Sequence, residues 1–163
     1  FREIAESYPK IGAKEAYIDA FTMWLVRDPE DLDVVVLPNM FGDIATDLAS
    51  VLQGGMGMAA SANLGDKHMM FEPVHGSSPK HAGKNRVNPI AMLSSLQLML
   101  ENLSLRHDDP LLDKYGNILQ QAISQHLSSD GPKTYDIGGT GTTSEVGDAI
   151  ADRVRTLLKN EKA

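Results

Sequence analysis

A continuous apolar run, Val34-Val35-Val36-Leu37, is the sequence feature that most restricts the fold of this chain. Three of its four residues are β-branched, which is typical of a buried strand with both faces covered by helices. Segments 16–18 and 70–71 are shorter strand candidates. Apolar spacing predicts helices over 1–8, 20–26, 40–52, 89–103, 111–127 and 144–158, with Asp19 at the N-cap of the second. Strands that alternate with helices predict an α/β layer architecture.

The composition excludes several classes of protein. The 163 residues suffice for one sizeable domain, and they carry a formal net charge of −7 with a pI of about 5.1. This balance argues against a nucleic-acid partner, which requires a basic face. The chain has no cysteine, so a disulfide or a thiolate metal site is excluded, and a cytoplasmic protein fits. No apolar run is long enough to predict a membrane-spanning helix.

The chain begins with Phe1-Arg2-Glu3-Ile4, a sequence typical of a helix interior, and it has no initiator methionine. We therefore expect a fragment of a longer protein. We expect residues 1–163 to form a single partial unit with two parts, 1–53 and 54–163. The second part opens with residues 54–89, a polar segment rich in glycine and serine, and long loops in compact domains are usually functional.

The first motif with possible chemistry is the segment 39–47, which contains Asp43 and Asp47. Their spacing of four places both carboxylates on one face of a helix, one turn apart. Two such carboxylates repel each other unless a cation lies between them, and oxygen ligands suit Mg²⁺ or Mn²⁺. Acidic residues are also favoured in a helix's first turn by its dipole. The spacing alone favours this simpler interpretation.

The second motif is a polar segment, Phe71-Glu72-Pro73-Val74-His75-Gly76-Ser77-Ser78-Pro79-Lys80-His81-Ala82-Gly83-Lys84. Backbone N–H groups beside small residues, with two lysines and two histidines, can bind a phosphate-bearing ligand. The segment is neither a Walker loop nor a Gly-x-Gly-x-x-Gly fingerprint. The alternative is a surface loop with solvated lysines, but the density of small and basic residues favours ligand binding.

The third motif is the glycine-rich segment 135–145, which precedes the last predicted helix. Thr143 or Ser144 could cap that helix. By itself, the segment favours a capping loop without a ligand.

Together these segments resemble the β-decarboxylating dehydrogenases, which include 3-isopropylmalate, isocitrate, homoisocitrate and tartrate dehydrogenases. The likeness covers nearly the whole chain, and its most specific part is Phe71-Glu72-Pro73-Val74-His75-Gly76-Ser77. The other matching segments are 33–36, 39–44, 53–57, 88–89 and 138–150. The resemblance implies an isopropylmalate dehydrogenase-like fold, layered α/β/α with a mixed sheet, of which this chain is the carboxyl-terminal half. It also implies metal-dependent, NAD(P)-linked oxidation and decarboxylation of a 2-hydroxy acid.

The resemblance implies roles for individual residues. Asp43 and Asp47 match metal-binding aspartates, and Asp19 matches a third that reaches the metal of the neighbouring subunit. The implied enzyme is therefore a homodimer or higher homo-oligomer with a shared active site, and Asp19 and Asp43 take part in catalysis. Three groups of residues match the nucleotide site. Asn39 matches a residue near the substrate and nicotinamide, and Asn88 matches the residue at the adenine. The residues that match the contacts with the ribose and phosphates are Glu72, His75, Gly76, Ser77 and Ser78.

The resemblance also bears on the choice between NADP and NAD. NAD-using members carry an acidic residue where this chain has Lys80, followed by His81. A lysine attracts a 2′-phosphate that a carboxylate would repel. NADP-linked isocitrate dehydrogenases have a Thr-Tyr-Asp segment like the one around Tyr135, although they have an arginine where this chain has Gly139. The balance favours NADP.

The substrate and the class of protein stay open. The segment 138–143 is closer to isopropylmalate dehydrogenases and to NAD-linked isocitrate and homoisocitrate enzymes. The residues that read the substrate, and the family's lysine, tyrosine and arginines, would lie upstream of Phe1. We therefore expect the fragment alone to be inactive. The alternatives are a stand-alone nucleotide-binding module and a non-catalytic regulatory subunit, but the three aspartates favour the enzyme.

Overall fold

A computed structural model describes residues 1–160, in which six α-helices and two β-strands form two compact units. The first unit spans residues 1–49, and the second begins at Ser50. The helices are α1 (Arg2–Glu6), α2 (Ile18–Arg27), α3 (Asn39–Ser50), α4 (Ile90–His107), α5 (Pro110–Leu127) and α6 (Thr143–Asn160). The strands are β1 (Ala60–Leu64) and β2 (Met69–Pro73). None of the helices in residues 1–160 is long and apolar enough to cross a membrane.

The first unit has a small core between α2 and α3. Phe21 and Leu25, four residues apart on one face of α2, are buried with Ala45 of α3. Partly buried apolar residues such as Leu37 and Leu48 pack against them. The exposed part of α3 carries apolar residues, Met40 and Ile44, as well as polar ones.

Two predicted strands in this unit are wrong. Segment 16–18 runs into α2, and segment 34–37 forms no strand, with Val34 and Val36 83% and 76% exposed. A strand needs a neighbouring strand to accept its backbone hydrogen bonds. Within residues 1–160 the only ladder joins β1 to β2, so the apolar run has no partner there. Asp19 is also not an N-cap: Phe21 N–H donates to Tyr17 C=O, so Tyr17 is the N-cap and Asp19 lies in the first turn.

The second unit begins with an antiparallel hairpin. β1 pairs with β2 in a register that sets Ala60 opposite Pro73, which confirms the strand predicted at 70–71. The guanidinium of Arg106, in the last turn of α4, donates to the carbonyl oxygens of Gly65 and Lys67 at 2.7 and 3.2 Å. This contact holds the hairpin turn against the end of α4.

The core of the second unit lies between α4, α5 and α6. Its buried residues are Ile90, Leu119, Ala122, Ile123, Val146 and Ile150. α5 starts where the sequence indicates, with Pro110 in its first turn and the Asp109 carboxylate accepting from Leu111 N–H at 2.9 Å. The predicted helices at 89–103, 111–127 and 144–158 are confirmed, and α4 continues one turn beyond its predicted end.

Candidate active site

Three oxygen-bearing side chains form a row on α3. Asn39, Asp43 and Asp47 follow each other at intervals of four residues, so they lie on one face of the helix, and all three are exposed. The Asn39 amide donates to the Asp43 carboxylate at 3.1 Å. Because α3 begins at Asn39, Asp43 lies one full turn inside the helix. Stabilisation of a first turn therefore does not explain this carboxylate.

Asp19 belongs to a different helix and is not gathered with this row. Its carboxylate accepts from Ala20 N–H at 2.8 Å, and its carbonyl oxygen accepts from the Thr22 hydroxyl. Across residues 1–160, no three His, Asp or Glu side chains come close enough to hold a metal ion. The structure thus places two predicted metal aspartates on one helix face and the third elsewhere.

A loop leaves β2 and carries most of the predicted nucleotide-binding residues. Glu72 lies on β2 opposite Ser61, and the His75 ring nitrogen Nδ1 lies 2.9 Å from the Gly76 carbonyl oxygen. Residues 76–78 are exposed, and in the described chain their backbone N–H groups donate to no protein acceptor. Ser78 has φ 46°, a left-handed conformation that is rare outside glycine and is concentrated at functional sites. These exposed amides fit a phosphate-bearing ligand.

The far end of this loop is fixed to the start of α6. The Asn85 side-chain oxygen accepts from both the N–H and the hydroxyl of Ser144 at 3.0 Å. The Asn85 carbonyl accepts from Thr143 N–H, and the Thr143 hydroxyl donates to Val87 C=O at 2.6 Å. Sequence reasoning missed Asn85, because nothing local shows a contact with a segment 59 residues away.

The cap of α6 is Thr142, not Thr143 or Ser144 as predicted. Glu145 N–H donates to the Thr142 hydroxyl at 3.2 Å, and the Glu145 carboxylate accepts from Thr142 N–H at 2.7 Å. This reciprocal pair is a capping box. Only a hydroxyl three residues before Glu145 can make it. The hydrogen bonds from the Thr142 N–H and hydroxyl hold the pKa of Glu145 below its ordinary value.

Asn88, the predicted adenine contact, is 7% exposed, and its side chain is engaged inside the protein. Its oxygen accepts from Ile90 N–H at 3.0 Å, and its amide donates to the Asp136 carboxylate at 3.0 Å. Gly57 packs against this pair: a Cβ there would lie 2.5 Å from Asp136 Oδ2 and 3.0 Å from Asn88 Cβ. Sequence reasoning missed Gly57 and Asp136 as the residues that fix Asn88.

Two predicted nucleotide-site residues from separate segments meet in a basic aromatic cluster. The rings of His81 and Tyr135 stack with centroids 6.0 Å apart, and the guanidinium carbon of Arg86 lies 4.2 Å from the Tyr135 ring centroid. The Nδ1 of His81 is buried and has no hydrogen-bond partner within residues 1–160. Lys80 is exposed next to His81. Sequence reasoning missed Arg86, because its positive charge was the only feature that pointed to a role in binding.

Comparisons with known proteins identify the family of this chain. The family model described as isocitrate/isopropylmalate dehydrogenase matches residues 1–150. The chain is 43% identical over 155 residues to a 3-isopropylmalate/3-methylmalate dehydrogenase of Methanocaldococcus jannaschii, covering 95% of this chain and 44% of that protein. It is 39% identical over 158 residues to a regulatory subunit of the mitochondrial NAD isocitrate dehydrogenase of Dictyostelium discoideum, covering 96% and 43%.

The fold is shared with solved structures of the same group. The crystal structure of isocitrate dehydrogenase from Methylococcus capsulatus matches with a TM-score of 0.85 at 36% identity, over 94% of this chain and 44% of that one. This likeness confirms the predicted α/β fold class of isopropylmalate dehydrogenase type. The chain spans about 44% of the length of these relatives. Since the family match extends over residues 1–150, the chain belongs to the isocitrate/isopropylmalate dehydrogenase family.

Proposed function

We propose that this chain forms part of a metal-dependent, NAD(P)-linked dehydrogenase that oxidises a 2-hydroxy acid and removes its β-carboxylate. The observation that carries the proposal is the exposed row of Asn39, Asp43 and Asp47 on α3, in a chain of this family. Carboxylates one helical turn apart repel each other unless a cation lies between them. An all-oxygen ligand set favours Mg²⁺ or Mn²⁺ over softer metals.

The polar residues of α3 would have different roles in metal binding and in orientation of the ligands. When bound, the cation would stabilise negative charge on the substrate oxygens, and the nicotinamide would accept the hydride. Asp43 and Asp47 supply the anionic ligand oxygens. Asn39, whose amide donates to Asp43, would orient that carboxylate. By the resemblance, it would also lie near the substrate and the nicotinamide.

Asp19 would complete the metal site of a neighbouring subunit. This assignment follows from the resemblance of Asp19 to the family's third metal-binding aspartate. The proposal includes a homodimer or higher homo-oligomer with a shared active site, in which Asp19 acts across the interface.

The loop after β2 would hold the nucleotide. The open amides of Gly76, Ser77 and Ser78 suit its phosphates, with Glu72 and His75 at the ribose. Because the Asn88 side chain is engaged with Ile90 and Asp136, its contact with the adenine would use backbone atoms.

Lys80, His81 and Tyr135 favour NADP over NAD. The chain has a lysine where NAD-using members have an acidic residue, and Lys80 is exposed beside the His81–Tyr135 stack. An ammonium group stabilises the charge of a 2′-phosphate.

The substrate is proposed as a class: a 2-hydroxy acid with a β-carboxylate, of the 3-isopropylmalate or isocitrate type. Homoisocitrate or a tartrate- or malate-type acid is the alternative. The alternative class of protein is a regulatory subunit. The aspartates on α3 favour the enzyme, since a subunit that binds no metal would not require Asp43 and Asp47 as ligands.

The test is an assay of the full-length native protein with Mn²⁺, in which each hydroxy acid is offered with each nucleotide. Asp43→Asn should abolish metal-dependent turnover and leave the circular dichroism spectrum unchanged, because it removes a ligand charge from an exposed position. Asp33→Asn, at another exposed aspartate of the first unit, is the matched control and should retain activity. Retained activity in Asp43→Asn would refute the metal assignment. The 163-residue chain alone should be inactive.

A further inference from the structure

The segment between β2 and α4 is basic in a chain that is acidic overall. No carboxylate occurs between Glu72 and Glu101, whereas Lys80, Lys84 and Arg86 lie within seven residues of one another. The net charge of the whole chain is −7, so this clustering is local. A basic loop on an acidic protein attracts an anionic ligand to that place.

Arg86 is held in a way that the two lysines are not. Its guanidinium lies over the Tyr135 ring at 4.2 Å, and within residues 1–160 it pairs with no carboxylate. The aromatic ring limits the rotamers of the arginine without neutralising its charge. A planar guanidinium stacked in this way keeps its N–H edges for a bidentate acceptor such as a phosphate.

The backbone leaves no room for a cationic side chain at position 139, four residues after Tyr135. A Cβ at Gly139 would lie 2.0 Å from the Lys133 carbonyl oxygen, and Gly139 N–H donates to Thr134 C=O at 2.9 Å. No side chain fits there without rebuilding the loop. A second cation near Tyr135 must therefore come from another segment, and Arg86 lies against that ring.

We propose that Arg86 is a specificity-determining residue that binds the 2′-phosphate of the nucleotide together with Lys80. This inference rests on the proposed NADP-linked function. A phosphate monoester carries close to two negative charges near neutral pH, so two cations match it better than Lys80 alone. The His81 ring stacks on Tyr135 in the same cluster, on the ring that Arg86 also contacts.

The experiment measures binding rather than turnover. Isothermal titration calorimetry on the full-length native protein compares 2′,5′-ADP with 5′-ADP for the wild type and Arg86→Gln. Arg86→Gln should weaken binding of 2′,5′-ADP by about tenfold or more, as expected for lost charge-assisted hydrogen bonds, and should change 5′-ADP by less than about twofold. Lys84→Gln removes the same charge from the same loop, at a residue for which no stacking on an aromatic ring is seen within residues 1–160, and should have little effect.

The outcomes separate this inference from the function on which it rests. If the wild type prefers 2′,5′-ADP and Arg86→Gln keeps that preference, Arg86 is not the determinant and the NADP proposal stands. If Arg86→Gln loses as much affinity for 5′-ADP as for 2′,5′-ADP, Arg86 stacks on the adenine. If Lys84→Gln loses as much affinity for 2′,5′-ADP as Arg86→Gln does, the effect comes from the overall charge of the loop. Either result overturns the inference. A wild type with no preference for 2′,5′-ADP refutes the choice of NADP itself.

Discussion

Gly57→Ala tests the contact that fixes Asn88, a residue of the proposed nucleotide site. The added Cβ would lie 2.5 Å from Asp136 Oδ2 and 3.0 Å from Asn88 Cβ. Asp136 is exposed and can turn toward water, but Asn88 is buried, so its amide would lose its carboxylate partner. An unsatisfied buried donor costs about 1–3 kcal/mol. The lower entropy of the unfolded alanine chain offsets about 0.4–1 kcal/mol. The expected net loss is about 1–2 kcal/mol.

Gly147→Ala is the matched control for this loss. Gly147 lies inside α6, and a Cβ there would meet no atom within 4 Å. Alanine is favoured over glycine in a helix interior by about 0.5–1 kcal/mol. The same chemical change should therefore stabilise the protein at residue 147 and destabilise it at residue 57.

Urea unfolding of the full-length protein, followed by circular dichroism, measures both changes. A double-mutant cycle adds Asp136→Ala, which removes the carboxylate that the new methyl group would meet. In that background Gly57→Ala should cost clearly less than in the wild type. If Gly57→Ala is neutral or stabilising, or if its cost is the same in both backgrounds, the argument that Gly57 is required by close approach is wrong.

Two further predictions concern pH. Hydrogen bonds from Thr142 lower the pKa of Glu145 in the folded protein. The ionised carboxylate therefore stabilises the protein above the unfolded pKa of about 4.5, and this stabilisation is lost as the pH falls through the lower folded pKa. The unfolding free energy of Glu145→Gln should fall less steeply with acid than that of the wild type, and an identical slope would contradict the capping box. The His126 ring is fully buried, and its Nε2 lies 2.8 Å from the Pro132 carbonyl oxygen. Because burial lowers the pKa of His126, the unfolding free energy should fall as the pH drops below the unfolded pKa of about 6.5. An NMR titration of the ring with a midpoint at or above 6.5 would contradict this.

The helices of the second unit were predictable because their signals are local. The Asp109–Pro110 pair marks the start of α5, and apolar residues at helical spacing define the faces of α4, α5 and α6. The strand at 70–71 was also predicted, since it is a short apolar segment beside polar loops. These patterns need no information about which distant residues lie nearby.

The strand predicted at 34–37 failed for the opposite reason. Four consecutive apolar residues are compatible with a covered strand, but a ladder depends on a neighbour that the sequence pattern does not identify. The contacts Asn88–Asp136 and Asn85–Ser144 join residues 48 and 59 positions apart. The resemblance named Asn88 and Tyr135, yet the partners that hold them became visible only in the structure.

The loop after β2 combines fixed ends with an open middle, and this combination supports a binding role more strongly than its composition does. At one end it continues β2, and at the other Asn85 and Asn88 tie it to α6 and to Asp136. Between these anchors, residues 76–78 keep amides without protein acceptors in the described chain. A solvated surface loop would not need such anchoring. Fixed ends reduce the entropy that ligand binding would otherwise cost, so the open amides can meet phosphate oxygens in a geometry that already exists.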